Sequence, residues 1–225
     1  MNKFYIIGTP IGNLEDITYR AVRILNEVDL VLCEDTRVTI NLLKKYGLNK
    51  STMSYHSQSK LSKVDKILEM IGEGKTLALV SDAGTPTISD PGSMLVSKVR
   101  EAFPEIEIIA IPGPSALVSA LSISGLPASE FTFLGFLPHK KGRETLFKEI
   151  AITERTVVFY ESPHRILKAL ESLKEFAGDR KVVIARELTK IFEQIVSGRP
   201  EEILKYFADN PDKVRGEFVV MVSAK

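Results

Sequence analysis

Short apolar runs alternate with amphipathic stretches along the first half of the chain. Residues 4–8 (FYIIG) read as a strand. Ala21, Ile24 and Leu25, with Val28 just beyond, sit at helical spacing over 18–27. DLVLC (29–33) reads as a second strand, a helix follows over 36–46 to stop at Gly47, and a short strand sits near 51–55. Leu61, Val64, Ile67, Leu68 and Ile71 mark another helix, closed by Gly72 and Gly74. TLALVS (76–81) and EIIAI (107–111) are apolar enough for strands covered on both faces, with a helix between them at 93–103. Strands alternating with helices predict a parallel sheet between helical layers.

The rhythm changes at Pro112-Gly113-Pro114, where proline restricts the backbone on both sides. The domain boundary is therefore placed there, dividing the chain into residues 1–112 and 113–225. The second half opens with an apolar helix (115–124), then FTFLGFL (131–137) as a strand. A helix at 143–152 leads to the strand TVVFYE (156–161), and Pro163 suits the first turn of the next helix. KVVIARE (181–187) and FEQIVSG (192–198) are strands with a short connection. Arg199-Pro200 opens a helix to about residue 208, and GEFVVMVS (216–223) is a final strand. Successive strands without long helices between them predict a mixed sheet. The expectation is an α/β protein of two domains, the sheet mostly parallel in the first and mixed in the second, with a cleft between them.

Composition narrows the chemistry. In 225 residues there are 30 basic and 29 acidic side chains, a formal charge of +1. A strongly basic tail cannot be the whole basis of nucleic-acid binding, although a local basic patch can serve. Cys33 is the one cysteine, which excludes an intrachain disulfide framework and a structural zinc cluster. His56, His139 and His164 have no ligand-like spacing, so no metal is expected. The start, MNKFYIIGTP, turns polar too soon for a signal peptide. No stretch reaches the roughly 18 consecutive apolar residues of a membrane span. A cytoplasmic protein is expected.

Three glycine- and proline-rich loops follow strands. Gly8-Thr9-Pro10-Ile11-Gly12-Asn13 lacks the G-x-G-x-x-G spacing, and Pro10 has no N–H to offer a phosphate. No G-x-x-x-x-G-K-[ST] is present either. Ser81 to Gly92 packs two Gly, two Pro and two Asp into one loop, more than core packing requires. Pro112 to Ala116 is the third. Ligands in open sheets sit outside the carboxyl ends of the strands, so the three can line one site without binding phosphate. Charged groups gather at other strand ends. Glu34-Asp35-Thr36-Arg37 pairs two carboxylates with an arginine, while Asp35 or Thr36 equally caps the following helix. Tyr160 to Arg165 and Arg186 to Lys190 are further candidates. His139-Lys140-Lys141-Gly142-Arg143 is the densest basic run, either a solvated face or the first contact of a polyanion.

These segments resemble a known family. GTPIGNLEDITYRA (8–21) is similar to the opening of the tetrapyrrole methylase superfamily, matching at Gly8, Gly12, Thr18, Arg20 and Ala21 and departing at Pro10, Ile11 and Asn13. AGTP (83–86) is similar to its G-D-P loop with Thr85 in place of aspartate, and PGPSA (112–116) to its later turn. With CEDTR (33–37), SDAGTPTISDPG (81–92), GFLP (135–138), FYESPHR (159–165) and ARELTK (185–190), the chain resembles the ribosomal RNA small-subunit methyltransferase I family from Phe4 to about Val222. Many members of that family continue past the equivalent of Lys225 into a lysine-rich helical segment.

The resemblance implies a two-domain tetrapyrrole-methylase fold that binds S-adenosyl-L-methionine in the cleft. It also implies methylation of the ribose 2'-hydroxyl of a cytidine in the decoding region of 16S ribosomal RNA. Pro10, Asp82, Gly84, Ile88, Ser89, Ser115 and Ala116 would line the cofactor, with Tyr160 and Ala185 from the second domain. Glu34, Asp35 and Glu187 are the candidate proton acceptors, with Lys190 a further one if its neighbours depress its pKa, and Arg37 stands beside them. Arg37, Lys140, Lys141, Arg143, Arg165, Arg186 and Lys190 are the expected RNA contacts. The implied partners are 16S ribosomal RNA within the assembled 30S subunit and a second copy of the chain, with no DNA and no membrane. Other readings are a tetrapyrrole or precorrin-type small-molecule methylase, a diphthine synthase relative, and a non-catalytic RNA-binding assembly protein. Thr85 argues against the first, and CEDTR with ESPHR against the second.

Overall fold

The computed structural model describes residues 3–56 and 61–225. The chain divides into two compact units, Met1–Ser115 and Ala116–Lys225.

The first unit alternates strand and helix as the apolar pattern predicts. Its elements are β1 (Lys3–Ile7), α1 (Tyr19–Glu27), β2 (Leu30–Cys33), α2 (Thr36–Lys45), β3 (Thr52–Ser54), α3 (Leu61–Gly72), β4 (Leu77–Leu79), α4 (Ser93–Ala102) and β5 (Glu107–Ile111). The strands lie in the order β3-β2-β4-β1-β5, and each neighbouring pair is parallel. Successive side chains point to opposite faces. Tyr5 and Ile7 therefore pack with Ala21, Ile24 and Leu25 of α1. Phe4, Leu32, Leu77 and Leu79 pack with Val64, Ile67 and Ile71 of α3 and Leu95 and Val99 of α4. Burying each such Phe or Leu is worth roughly 1.5–3 kcal/mol. Because all the strands run the same way, the loops after β1, β2, β4 and β5 emerge at one edge. Thr18 caps α1 by accepting the Ala21 N–H at 3.1 Å, and Asp35 caps α2.

The second unit holds α5 (Ala116–Ser124), β6 (Phe131–Phe136), α6 (Arg143–Ile152), β7 (Thr156–Glu161), α7 (Ile166–Ala177), β8 (Val182–Arg186), β9 (Gln194–Gly198), α8 (Pro200–Asp209) and β10 (Phe218–Val222). Its sheet runs β6-β7-β10-β8-β9, parallel between β6 and β7 and antiparallel elsewhere, which is the expected mixed sheet. Val157, Phe159, Val182, Ile184, Phe218 and Val220 meet α6, α7 and α8 on one face. Helix α5 lies along β8 and β10.

Two local departures from the expected pattern matter later. Helix α7 starts at Ile166, so Pro163 stands before it and not in its first turn. Ser162–Arg165 form a separate turn, in which the Ser162 carbonyl accepts the N–H groups of Arg165 and Ile166, both at 3.0 Å. Strand β6 slips register between Phe133 and Phe136 against β7. Gly135, at φ 62°, supplies the left-handed residue of this bulge.

Candidate functional site

Three loops of the first unit meet at the carboxyl edge of its sheet. After β1, Thr9 and Gly84 exchange backbone hydrogen bonds at 2.9 and 3.0 Å, joining the first loop to the loop after β4. The buried Thr9 hydroxyl donates to the carbonyls of Ser81 (3.0 Å) and Gly84 (3.3 Å). The Gly8 N–H donates to the Ile111 carbonyl at 3.1 Å. A Cβ on Gly113 would stand 2.7 Å from the Gly8 carbonyl oxygen, so the first and third loops touch backbone to backbone and need glycine there. Thr85 reaches the Pro114 carbonyl at 3.4 Å, closing the triangle. The fourth strand end joins through Asp82, whose Oδ1 accepts the Asp35 N–H at 2.9 Å.

The loop after β4 carries backbone strain. Thr87 (φ 75°) and Ser89 (φ 63°) sit in the left-handed region, where a β-branched residue is a genuine outlier. Such strain persists where the surroundings over-determine the backbone, and it concentrates at ligand-binding loops.

Electrostatics separate the two adjacent carboxylates after β2. Asp35 is bound by the Arg37 side chain, the closest approach being 2.6 Å, and it accepts the Arg37 N–H while capping α2. These contacts hold its carboxyl down at about 2, so it is a poor proton acceptor. Arg37 itself is exposed. Glu34 goes the other way: burial and then the neighbouring Asp82 push its carboxyl up, with His56 opposing. Asp90, which sequence reading left out of the site, is pushed up to about 6 by burial, against the pull of a hydrogen bond from Ser81. Glu34 and Asp82 add to the rise. The signal for Asp90 was its place as the second aspartate of the Ser81–Gly92 loop.

Of the other residues expected at the cofactor, Pro10 and Gly84 are buried in the loop junction. Ile88 and Ser89 are exposed, and Asp82 and Ser115 are half-buried. In the second unit Ala116 opens α5 and Tyr160 is half-buried on β7. Ala185 has 0% exposure in β8, paired on both sides by β10 and β9. It presents no surface to a ligand and is a position the core accounts for.

The second unit holds its charges in side-chain networks. The Glu161 carboxylate, at the end of β7, has 0% exposure. Arg143 reaches it at 3.0 Å and Arg165 at 2.8 Å, with only 14% and 15% of their side chains exposed. The same guanidinium groups bind the carbonyls of Pro138 (3.2 Å) and Leu137 (2.9 Å), and Glu161 accepts the Ser162 N–H at 2.8 Å. Arg143 and Arg165, read from the sequence as RNA contacts, are thus turned inward because a buried carboxylate needs them. Arg186 is also buried, donating to the carbonyls of Arg215 and Phe192. Lys140 and Lys141 are exposed.

Glu187 and Lys190 form another closed group. Glu187 accepts Lys190 Nζ and the Glu217 N–H, both at 2.9 Å, and Lys190 also meets Glu217 at 2.9 Å. A Cβ on Gly216 would overlap the Glu187 side chain, so glycine there makes the seat. Burial works against both charges, but the partners outweigh it. The Lys190 ammonium is raised above its ordinary range and the Glu187 carboxyl lowered below its own. The neighbours of Lys190 thus act in the opposite direction to the depression that its reading as a proton acceptor required.

The tetrapyrrole (corrin/porphyrin) methylase family profile matches residues 3–204. The chain belongs to that family. Among its methylase relatives, the ribosomal RNA small subunit methyltransferase I of Thermotoga maritima is 47% identical over 226 residues, covering 100% of both chains. That of Vibrio cholerae is 44% identical over 97% of this chain and 76% of its own length. This methylase also shares its fold with the solved methyltransferase CobJ, at a TM-score of 0.71 and 20% identity, over 100% of this chain and 95% of that one.

The loop edge fits the family's cofactor in kind. The Asp82 and Asp90 carboxylates, together with loop carbonyls, suit a cationic sulfonium far better than a phosphate, which they would repel. No group of metal-ligating side chains occurs among the described residues.

Proposed function

We propose that this methylase uses S-adenosyl-L-methionine to methylate the ribose 2'-hydroxyl of a cytidine in the decoding region of 16S ribosomal RNA. The convergence of the three glycine- and proline-rich loops on one carboxylate-lined sheet edge carries the reading. The relatives named for ribosomal RNA small-subunit methylation support the substrate class. Gly84, Asp82, Ile88, Ser89, Pro10 and Ser115 hold the cofactor. When bound, it would supply a methyl group bonded to its positively charged sulfur, with the neutral thioether as the leaving group.

Glu34 orients the ribose and accepts the proton that the 2'-hydroxyl gives up. Its raised proton affinity suits that step, whereas Asp35, locked to Arg37, positions the loop. Lys140 and Lys141 take phosphates of the RNA, a term that fades with salt. Assembled 30S subunits are the proposed substrate, a homodimer the proposed working state, and the cytoplasm the proposed location. Among the described residues no helix is long and apolar enough to cross a membrane.

The test is mass spectrometry of RNA after undermethylated small subunits are incubated with protein and cofactor. Glu34→Gln should lower the single-turnover rate by about 10²–10⁴-fold, with cofactor affinity by calorimetry little changed. A near-wild-type rate for Glu34→Gln would remove Glu34 from the mechanism. Absence of a new 2'-O-methyl cytidine with the wild-type protein would remove the function.

A further inference from the structure

The bulge in β6 has a consequence at the end of the sheet. In a regular strand Phe133 and Phe136, three apart, point to opposite faces. In this strand Phe133 pairs with Val158 while Phe136 pairs with Tyr160, so one extra residue is taken up between them. Both phenylalanines therefore end on the same face as Tyr160. Their ring centroids lie 5.0 Å (Phe133) and 5.4 Å (Phe136) from the Tyr160 ring, tilted by 70° and 60°. Phe133 and Tyr160 are half-buried, but Phe136 is 58% exposed. A ring that rests against Tyr160 and is still more than half exposed is costly to leave in water unless something covers it.

The chain just after Phe136 is held firmly. Leu137 is buried, and its carbonyl and that of Pro138 accept the guanidinium groups of Arg165 and Arg143, themselves fixed by Glu161. His139, Lys140 and Lys141 then follow, all exposed. Lys140, four residues from Phe136, lies within about 14 Å of it at full extension. An aromatic ring on an anchored segment beside exposed cations matches the chemistry of unpaired RNA, which offers flat bases linked by phosphates.

We propose that Phe136 is a stacking platform for an unpaired nucleobase of the RNA substrate, with Lys140 and Lys141 taking neighbouring phosphates. The inference rests on the RNA-methylating reading above and adds the contact that grips the base. The Glu161 network positions the platform.

The experiment compares Phe136→Leu, which keeps apolar bulk without a π face, with Phe136→Tyr, which keeps the ring. Binding to undermethylated small subunits is measured at one fixed salt concentration, alongside cofactor affinity by calorimetry and oligomeric state by sedimentation. Loss of one stacked base corresponds to roughly 5- to 150-fold weaker binding. That loss is expected for Phe136→Leu, with Phe136→Tyr within about twofold of wild type and the other two readouts unmoved. Wild-type-like subunit binding by Phe136→Leu overturns the inference alone. A changed sedimentation coefficient or cofactor affinity for Phe136→Leu also overturns it, by assigning the ring to a protein interface or to the cofactor. A wild-type protein that binds no subunits overturns the proposed function, and the inference with it.

Discussion

The first unit builds its site from backbone, the second from side-chain charge. At the carboxyl edge of the parallel sheet, Gly8 lies against Gly113, Thr9 exchanges hydrogen bonds with Gly84, and carbonyls supply most of the contacts. At the end of β7, one buried carboxylate gathers two arginines and pins the loop that follows β6. The difference follows from topology. Parallel strands deliver several loops to one edge, where main-chain groups can meet directly. The mixed sheet delivers fewer, so long side chains must span between turns. One unit is therefore vulnerable to a methyl group, and the other to loss of a charge.

The sharpest way to break this contrast is Glu161→Gln. It keeps the shape but leaves Arg143 and Arg165 largely buried without an anion. Removing one partner of a buried ion pair costs about 3–5 kcal/mol. Chemical denaturation should show a loss of that order, and subunit binding should weaken because the Pro138–Lys141 segment loses its anchors. A loss below about 1 kcal/mol would mean that the network is ornamental.

Gly113→Ala comes next. Its Cβ would press on the Gly8 backbone, which cannot rotate away, so overpacking of about 1–3 kcal/mol is expected. Calorimetry should find cofactor uptake weakened more than tenfold, since two loops are forced apart. Unchanged uptake would show that the close approach is incidental to the site.

The smallest effect belongs to Asp90. Its folded-state pKa of about 6 lies above the ordinary aspartate value of 3.8. The folded protein therefore binds more protons than the unfolded chain between about pH 4 and 6, and this group's contribution to stability falls as pH rises through that window. Above it, Asp90 is a standing penalty. Asp90→Asn should raise the melting temperature by a few degrees at pH 7.5 and change it little at pH 4. Equal shifts at both pH values would remove the buried carboxylate from the explanation.

Much of this site could be read along the chain. The Ser81–Gly92 loop was conspicuous because its glycines, prolines and aspartates serve no core, and its neighbours at 8–13 and 112–116 shared that character. The charged positions were harder. Glu34 and Asp35 are adjacent and chemically alike, and only the turn that brings Arg37 onto Asp35, with burial of Glu34, lowers one carboxyl's proton affinity and raises the other's. In the same way, His139–Arg143 reads as one basic run. Its lysines face solvent, while Arg143 turns back to a carboxylate 18 residues away in sequence.

Local pattern was sufficient for the parallel sheet, the mixed sheet and the strand ends that carry chemistry. Apolar period and glycine or proline breaks act over a few residues, so neighbours in sequence contain them. Which cation meets which anion, and which face Phe136 shows, were decided by tertiary structure alone. A charge pairs with whatever group folding brings within a few ångströms, and a single extra residue in β6 brings Phe136 to the face of Phe133 and Tyr160.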